Sequence, residues 1–172
     1  MLFTTERLQV RQLSDDDLDA MHAVYGDADA MRWVGDGEPL ARERCVEWIA
    51  VTRRNVATRG YGMCAIELRA TGEVIGFCGL VHPGGQSQAE IKYALRRGCW
   101  GQGFASEAAR GLIGYGALGL GLREVIATAA PRNTASHRVL LKAGLRPDGL
   151  RRNDDGTFTQ LFLWRAGEQT GG

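Results

Sequence analysis

The sequence is poor in the residues that build metal centres. It holds three histidines and four cysteines in 172 residues, and no two cysteines have the CxxC spacing of structural zinc sites. We therefore expect no metal. Cys64 and Cys78 lie in apolar, strand-like runs and are predicted to be buried free thiols. Free thiols are typical of a reducing compartment, so the cytoplasm is the expected location.

An excess of one charge is also lacking. Lysine and arginine together number 21 and aspartate and glutamate 20, so the formal net charge is +1 at pH 7. Proteins that bind nucleic acids or membrane surfaces usually carry a marked basic patch. No apolar run approaches a membrane span, and the opening stretch MLFTTERLQVRQL lacks the apolar block of a signal peptide. We expect neither nucleic acid nor a membrane as a partner.

The composition is that of an ordinary globular protein. Apolar residues make up 44% and charged residues 24% of the chain, and its length allows one well-buried core. No internal repeat, low-complexity linker or break in composition divides it. We predict a single domain over residues 1–166 and a flexible tail over residues 167–172.

The pattern of apolar residues predicts a mixed α/β fold. VIGFCGLV and EVIATAA are apolar runs of the buried-strand type, whereas AEIKYAL alternates. Ser14 and Pro39 mark helix starts, and Gly60 and Gly144 mark helix ends. The predicted strands are 7–13, 61–68, 74–81, 89–95, 124–130, 145–152 and 157–164, and the predicted helices follow Ser14, Pro39, Gly103 and Asn133.

Two glycines, Gly101 and Gly103, lie between the fourth predicted strand and the helix that follows it. The first N–H groups of a helix lack internal partners, and the helix dipole adds positive charge there. Glycines let a phosphate approach such a backbone closely, Ala105 keeps the approach open, and Ser106 adds a hydroxyl. The stretch is a candidate pyrophosphate cradle, with Arg96 just upstream as a source of further positive charge.

Two other interpretations of these glycines stay open on the residues alone. They can serve a strand-to-helix turn that needs glycine for its own geometry. They can also belong to a dinucleotide-binding fingerprint, G-x-G-x-x-G. That fingerprint, however, requires glycine where Ser106 stands and follows the first strand of its unit rather than the fourth.

The stretch WGQGFASEA resembles the acyl-CoA pyrophosphate loop of the GNAT N-acetyltransferases, whose usual pattern is [Gln/Arg]-x-x-Gly-x-[Gly/Ala]. The first position departs, because Trp100 stands there, but Trp-Gly-x-Gly-aromatic-Ala is the form typical of the RimJ/RimL-like branch. TERLQVRQLSDDDLDAM, VIGFCGL and RNTASHRVLLKAGL are similar to further stretches of that branch. The similarities run in the family's order from about residue 4 to residue 165.

The resemblance implies transfer of an acetyl group from acetyl-CoA to a primary amine, either a protein N-terminus or a small molecule. It also implies the GNAT fold: a mostly antiparallel sheet of about seven strands, splayed between the fourth and fifth, with about four helices. A non-catalytic acyl-CoA sensor or scaffold is the alternative function. A homodimer is possible, because the C-terminal strands offer an edge.

The resemblance further implies the residues that contact the cofactor. The backbone near Ala94 or Leu95 would pair with the pantetheine arm and donate an N–H to the reacting carbonyl oxygen. With Arg96 and Ser106 of the candidate cradle, the expected acetyl-CoA contacts are Ala94, Leu95, Arg96, Trp100, Gly101, Gln102, Gly103, Phe104, Ala105, Ser106, Asn133, Ser136 and Arg138. The alternative for Arg138 is an ordinary exposed arginine.

Two side chains are candidates for proton transfer. Glu90 begins the fourth predicted strand, and alternation places it on one face with Lys92 and Ala94, where it can take a proton from the acceptor amine. The alternative is a solvent-exposed glutamate in a cross-strand pair. A neighbouring lysine would weaken a carboxylate base.

The family's usual acid is absent, since Leu140 stands where a tyrosine often lies. Ser136, three residues after Asn133, fills the place used by the RimL-like branch and can hydrogen-bond the CoA sulfur. The alternative is that Ser136 is only the N3 residue of a helix capped by Asn133. Trp33 lies beside a loop on the expected acceptor side and, with Glu90, is a candidate substrate contact.

Overall fold

The structure, a computed structural model, describes residues 1–168. Its centre is an open eight-stranded sheet in the order β1-β2-β3-β4-β5-β6-β8-β7. All neighbouring strands are antiparallel except β5 and β6, which are parallel. The strands are β1 (Phe3–Thr4), β2 (Leu8–Gln12), β3 (Met63–Leu68), β4 (Val74–Val81), β5 (Glu90–Leu95), β6 (Glu124–Ala129), β7 (Arg146–Arg152) and β8 (Phe158–Arg165).

Helices pack on both faces of the sheet. One buried cluster, which includes Met21, Ile49 and Phe77, joins the first three helices to the sheet. A second cluster, which includes Leu112 and Leu140, lies under the last two helices. The helices are α1 (Leu18–Tyr25), α2 (Ala28–Met31), α3 (Arg42–Arg59), α4 (Phe104–Gly119) and α5 (Thr134–Lys142).

Strand β4 is apolar along its whole length because both of its faces are covered. Gly76 allows a close approach to β5: a Cβ at this position would lie 2.4 Å from the Ala94 carbonyl oxygen. Gly76 is the register partner of Leu95, the last residue of β5. The end of β5 is therefore held tightly against β4 and is fixed in position for its neighbour on the other side.

The parallel pair β5–β6 separates soon after it begins. One register pair, Glu90 with Ile126, joins the two strands, next to a hydrogen bond of 2.9 Å from Ile126 N to Ala89 O. The remaining residues of β5 stay paired with β4 alone, and those of β6 with β8. The expected splay between the fourth and fifth predicted strands is confirmed, and it opens toward the carboxyl ends of β5 and β6.

The sequence-based prediction of a mixed α/β fold is confirmed, with seven strands and four helices close to their predicted positions. The structure adds β1, which pairs with β2, and the one-turn helix α2. Helix α3 starts at Arg42 rather than at Pro39, because Ala41 is extended and Leu40 N donates to Tyr25 O at 2.8 Å. That contact keeps residues 39–41 in a loop, so the helix begins three residues later than predicted.

Two further predictions concern the chain ends and the membrane. The tail predicted over 167–172 lies outside the described residues from residue 169 onward. In residues 1–168, no helix has both the length and the apolar character that crossing a membrane requires.

Candidate active site

The glycine loop lies between the end of β5 and the start of α4. Gly101 has φ 72° and Gly103, the N-cap of α4, has φ 82°, a left-handed region that favours glycine. The Trp100 indole donates a hydrogen bond of 2.8 Å to the Leu95 carbonyl oxygen, which ties the loop to the strand end. Gln102 adds a second tie, from its Nε2 to Gly98 O at 3.1 Å. These contacts fix the conformation of the loop between the end of β5 and the N-terminus of α4.

Arg7 brings a guanidinium group to this loop. Its Nη1 donates to Gln102 O at 2.9 Å, its Nη2 forms an ion pair of 2.7 Å with Glu107, and its guanidinium lies 4.3 Å from the centre of the Phe104 ring. A Cβ on Gly103 would lie 3.4 Å from the same Nη2. Arg7 was not predicted as a site residue, because nothing in a local sequence pattern indicates a contact with Gln102, 95 residues away.

The arginines just before the loop have other partners. Arg96 forms an ion pair of 2.6 Å with Glu73, and Arg97 one of 2.7 Å with Asp27. The hydrogen bond to Glu73 raises the pKa of Arg96. The structure therefore does not bring Arg96 to the glycine loop as a free positive charge, and its assignment to acetyl-CoA stays a prediction.

Glu90 is a buried carboxylate at the point where β5 and β6 separate. It is 3% exposed, so the alternative of a solvent-exposed strand glutamate is wrong. Thr128 Oγ1 on β6 donates to Glu90 Oε1 at 2.6 Å, and Gln86 Nε2 donates to Oε2 at 3.3 Å. The Lys92 ammonium contacts the same Oε1, as expected from their shared strand face.

A chain of hydrogen bonds continues from Gln86 away from the site. His82 Nδ1 lies 2.9 Å from the Gln86 carbonyl oxygen, and because a carbonyl only accepts, Nδ1 carries the proton. His82 Nε2 lies 2.7 Å from the Tyr61 hydroxyl. These contacts hold the turn that leads into β5, and with it the amide that reaches Glu90.

Ser136 lies on the other face of β5, in the first turn of α5. Its N–H donates to Asn133 Oδ1 at 3.2 Å, so the predicted cap by Asn133 is confirmed. Its hydroxyl oxygen lies 2.6 Å from the Tyr93 hydroxyl. Burial raises the pKa of Tyr93 to about 12. No role was predicted for Tyr93 from the sequence.

The topology brings the loop and α5 to one edge of the sheet. Carboxyl ends of neighbouring parallel strands meet at the same edge, so the glycine loop after β5 lies beside the N-terminus of α5 after β6. Ser136 and Tyr93 flank the gap on one face, and Glu90 and Thr128 flank it on the other. The two proton-transfer candidates therefore stand on opposite faces of one opening.

Two further candidates from the sequence, Trp33 and Arg138, are exposed on the surface. Trp33 follows α2, is 44% exposed and carries the Arg32 guanidinium 5.3 Å from its ring centre. Arg138 is exposed on α5, two residues beyond Ser136. Among residues 1–168 no group of three or more His, Cys, Asp or Glu side chains is placed to hold a metal ion.

The register of β5 decides which backbone groups face the opening. Arg96 N donates to Ile75 O on β4 at 2.8 Å, and in an antiparallel pair such bonds fall on every second residue. The N–H of Ala94 is therefore directed at β4. The N–H groups of Tyr93 and Leu95 are directed at the opposite side, toward the gap between β5 and β6.

Comparison with known proteins identifies the family. The acetyltransferase (GNAT) domain profile matches residues 7–146. The uncharacterized N-acetyltransferase YoaA of Bacillus subtilis is 32% identical over 153 residues, covering 88% of this chain and 86% of YoaA. An acetyltransferase structure from Agrobacterium tumefaciens has a TM-score of 0.77 and 28% identity, covering 95% of this chain and 94% of the other.

A more distant structure shares the fold. Mycobacterium smegmatis RimJ in complex with CoA-disulfide has a TM-score of 0.78 and 23% identity, covering 95% of this chain and 84% of that one. Since the profile spans most of the chain and the relatives match along their length, this protein belongs to the GNAT family and is an acetyl-CoA-dependent N-acetyltransferase.

Proposed function

We propose that acetyl-CoA binds in the gap between β5 and β6, with its diphosphate on the glycine loop. The observation that carries the proposal is the separation of the two parallel strands beyond Glu90 and Ile126, directly beside a helix N-terminus. The first-turn N–H groups of α4 have no intrahelical partners and face a loop with two positive-φ glycines. The pantetheine arm would lie along β5 as an added strand.

The oxyanion of the tetrahedral intermediate would accept a hydrogen bond from the backbone of β5. Of the two positions expected from the sequence, the strand register favours Leu95, because its N–H is directed at the gap while that of Ala94 is directed at β4. A fixed backbone donor of this kind stabilises developing negative charge without reorganising.

Glu90 would act as the base for the acceptor amine. Its carboxylate is buried at the gap and held by Thr128 and Gln86. As the amine nitrogen attacks the thioester carbon, Glu90 takes one of its protons, directly or through a water molecule. The C–S bond then breaks, its electron pair stays on sulfur, and Ser136 donates a hydrogen bond to the departing thiolate.

The acceptor is a primary amine, either a protein N-terminus or a small molecule. Glu90 opens onto the face of the sheet packed by the first three helices, where the exposed Trp33 ring follows α2. Trp33 would contact the acceptor there. The resemblance of the sequence motifs to the RimJ/RimL-like branch favours a protein N-terminus, and Trp33 suits either class because a ring face packs on any apolar chain.

Two further expectations accompany the proposal. All four cysteines are free and buried, which supports a reducing compartment. Strand β7 forms one edge of the sheet and is exposed along its whole length, which supports β7 as the edge for a homodimer.

The test is release of free CoA thiol from acetyl-CoA in the presence of separate acceptor panels. One panel holds peptides with free N-termini, and the other holds amino acids and small amines. We expect saturable thiol release with members of one panel. Peptides with acetylated N-termini serve as the control for the first panel and should give no release. A protein that binds acetyl-CoA but turns over no amine in either panel would contradict the proposal.

A further inference from the structure

Tyr93 and Ser136 form a hydrogen-bonded pair at the mouth of the gap. Their hydroxyl oxygens are 2.6 Å apart, although the residues lie 43 positions apart, one on β5 and the other on α5. Tyr93 is largely enclosed by the core under α4 and α5. The pair therefore links the strand that would hold the pantetheine arm to the residue that would meet its sulfur.

The chemistry of the two hydroxyls indicates which one donates. A phenol is more acidic than an alkyl alcohol, so the Tyr93 O–H is the better donor and the Ser136 oxygen the better acceptor. If Ser136 donated instead, the Tyr93 proton would have only the Ser136 carbonyl oxygen, at 3.5 Å. With Tyr93 donating, the Ser136 oxygen has one lone pair occupied and its own proton is free for another acceptor.

We propose that Tyr93 is a positioning residue that turns the Ser136 O–H toward the sulfur of CoA. This inference rests on the proposed binding of acetyl-CoA between β5 and β6. When the C–S bond breaks, sulfur takes the bonding pair and receives a hydrogen bond from Ser136, while Tyr93 holds the Ser136 oxygen in place. No proton needs to leave either hydroxyl, because the proton lost by the amine is on Glu90.

Three neighbouring polar side chains are directed elsewhere. His137 is turned away, with its Nε2 3.0 Å from Ala130 O and its ring packed on Phe162. Glu90 and the Lys92 ammonium lie on the opposite face of β5. Because burial raises the pKa of Tyr93 to about 12, Tyr93 stays protonated and able to donate throughout the neutral range.

The test follows the ionisation of the thiol of bound CoA and needs no acceptor. Thiolate absorbance is titrated against pH for the CoA complex, with the desulfo-CoA complex as the reference for the protein's own groups. In the wild-type complex we expect the bound thiol to be about tenfold more acidic than in Tyr93→Phe, the effect of one hydrogen bond to a charged group. Ser136→Ala should lose the same factor.

The double variant Tyr93→Phe with Ser136→Ala separates an indirect from an independent role. If Tyr93 acts through Ser136, the double variant matches Ser136→Ala alone. Additive losses, or a bound thiol whose pKa does not change in Tyr93→Phe, would overturn the inference. If the wild-type protein does not bind CoA, the proposed function is contradicted, and the inference, which rests on it, is contradicted as well.

Two controls protect the result. Tyr115→Phe removes a tyrosine hydroxyl elsewhere on the same core, where Tyr115 stacks on Phe3, and should leave the thiol pKa unchanged. Thermal unfolding of Tyr93→Phe tests whether the fold is intact. Once an acceptor is known, Tyr93→Phe should lower kcat and leave the KM for acetyl-CoA within about twofold, since positioning acts on the departing thiolate rather than on the bound ground state.

Discussion

The Thr128 hydroxyl on β6 donates a hydrogen bond of 2.6 Å to the Glu90 carboxylate on β5. This contact bridges the two parallel strands just where their backbone pairing stops. It holds the carboxylate in one orientation at the mouth of the gap, and the Lys92 ammonium contacts the same oxygen. A buried carboxylate with fixed partners can accept a proton from a defined direction, which is what a base for an amine requires.

Replacing Glu90 by Gln should lower kcat by about a hundredfold or more, the usual contribution of a positioned base. The amide keeps the shape of the side chain but cannot take a proton from the amine. Steady-state kinetics at saturating acceptor measures this loss, while the affinity for acetyl-CoA should stay the same.

Glu124→Gln is the matched control for that experiment. Glu124 is the first residue of β6, at the end opposite to the gap, and pairs with Arg165, so its replacement should leave kcat unchanged. A kcat that is retained in Glu90→Gln would remove Glu90 as the base and leave the orientation of a neutral amine as its role.

Replacing Asn133 by Ala should lower the free energy of unfolding by about 1 kcal/mol, the usual contribution of an N-cap. Asn133 Oδ1 accepts the Ser136 N–H, so the same change should displace Ser136 and reduce turnover. Asn133→Ser, which keeps a capping oxygen, should retain most of the stability in urea unfolding. Equal losses in the two variants would show that the cap contributes little.

Stability should fall in acid because of the Asp17 carboxylate. Burial raises the pKa of Asp17, but hydrogen bonds from Arg11 and Ser14 outweigh that effect, so the pKa is lowered from its usual value. A lowered pKa stabilises the fold above the unfolded value of about 3.9. That contribution is lost as the pH falls through the folded value.

Asp17→Asn should therefore cost about 2 kcal/mol at neutral pH, the scale of hydrogen bonds to charged groups. The difference in the free energy of unfolding between Asp17→Asn and the wild type should become smaller as the pH falls below about 4. Urea unfolding across this range checks both expectations, with the exposed neighbour in Asp16→Asn as the control. A difference in the free energy of unfolding that does not change with pH would contradict the role of the Asp17–Arg11 ion pair.

Replacing Trp33 by Ala should raise the KM for the amine acceptor several-fold and leave that for acetyl-CoA unchanged, if the exposed ring contacts the acceptor. Steady-state kinetics with each substrate varied in turn gives the two constants. Leu118→Ala, at a position 92% exposed near the end of α4, is the control for removing a surface apolar side chain. Equal effects on both constants would argue for a structural role of Trp33.

The parts of the fold that follow from local chemistry could be predicted from the sequence. Strand β4 has its predicted bounds, because an unbroken apolar run buried on both faces has clear ends. Asn133 caps α5 and Gly144 follows it with φ 99°, as their residue types indicate. Strand β1 was missed because two residues carry no periodicity.

The parts of the site that depend on distant contacts could not be predicted. Arg7 reaches the glycine loop, and Tyr93 reaches Ser136, only after the sheet has formed. Thr128 meets Glu90 because β5 and β6 run parallel, a pairing that neither strand indicates by itself. Position along a strand predicted the face of Glu90, but its burial comes from the neighbouring strand and the turn before it.

The central claim is that the glycine loop binds the diphosphate of acetyl-CoA. Isothermal titration of the purified protein with acetyl-CoA tests it, with Gly103→Val as the variant. Position 103 requires a left-handed backbone, which valine disfavours, and the valine Cβ would lie 3.4 Å from Arg7 Nη2.

Gly114→Ala is the control, since Gly114 lies inside α4 with open space around its Cβ position. We predict one-to-one binding that Gly103→Val abolishes and Gly114→Ala preserves. Acetyl-CoA binding that is unchanged in folded Gly103→Val would contradict the claim.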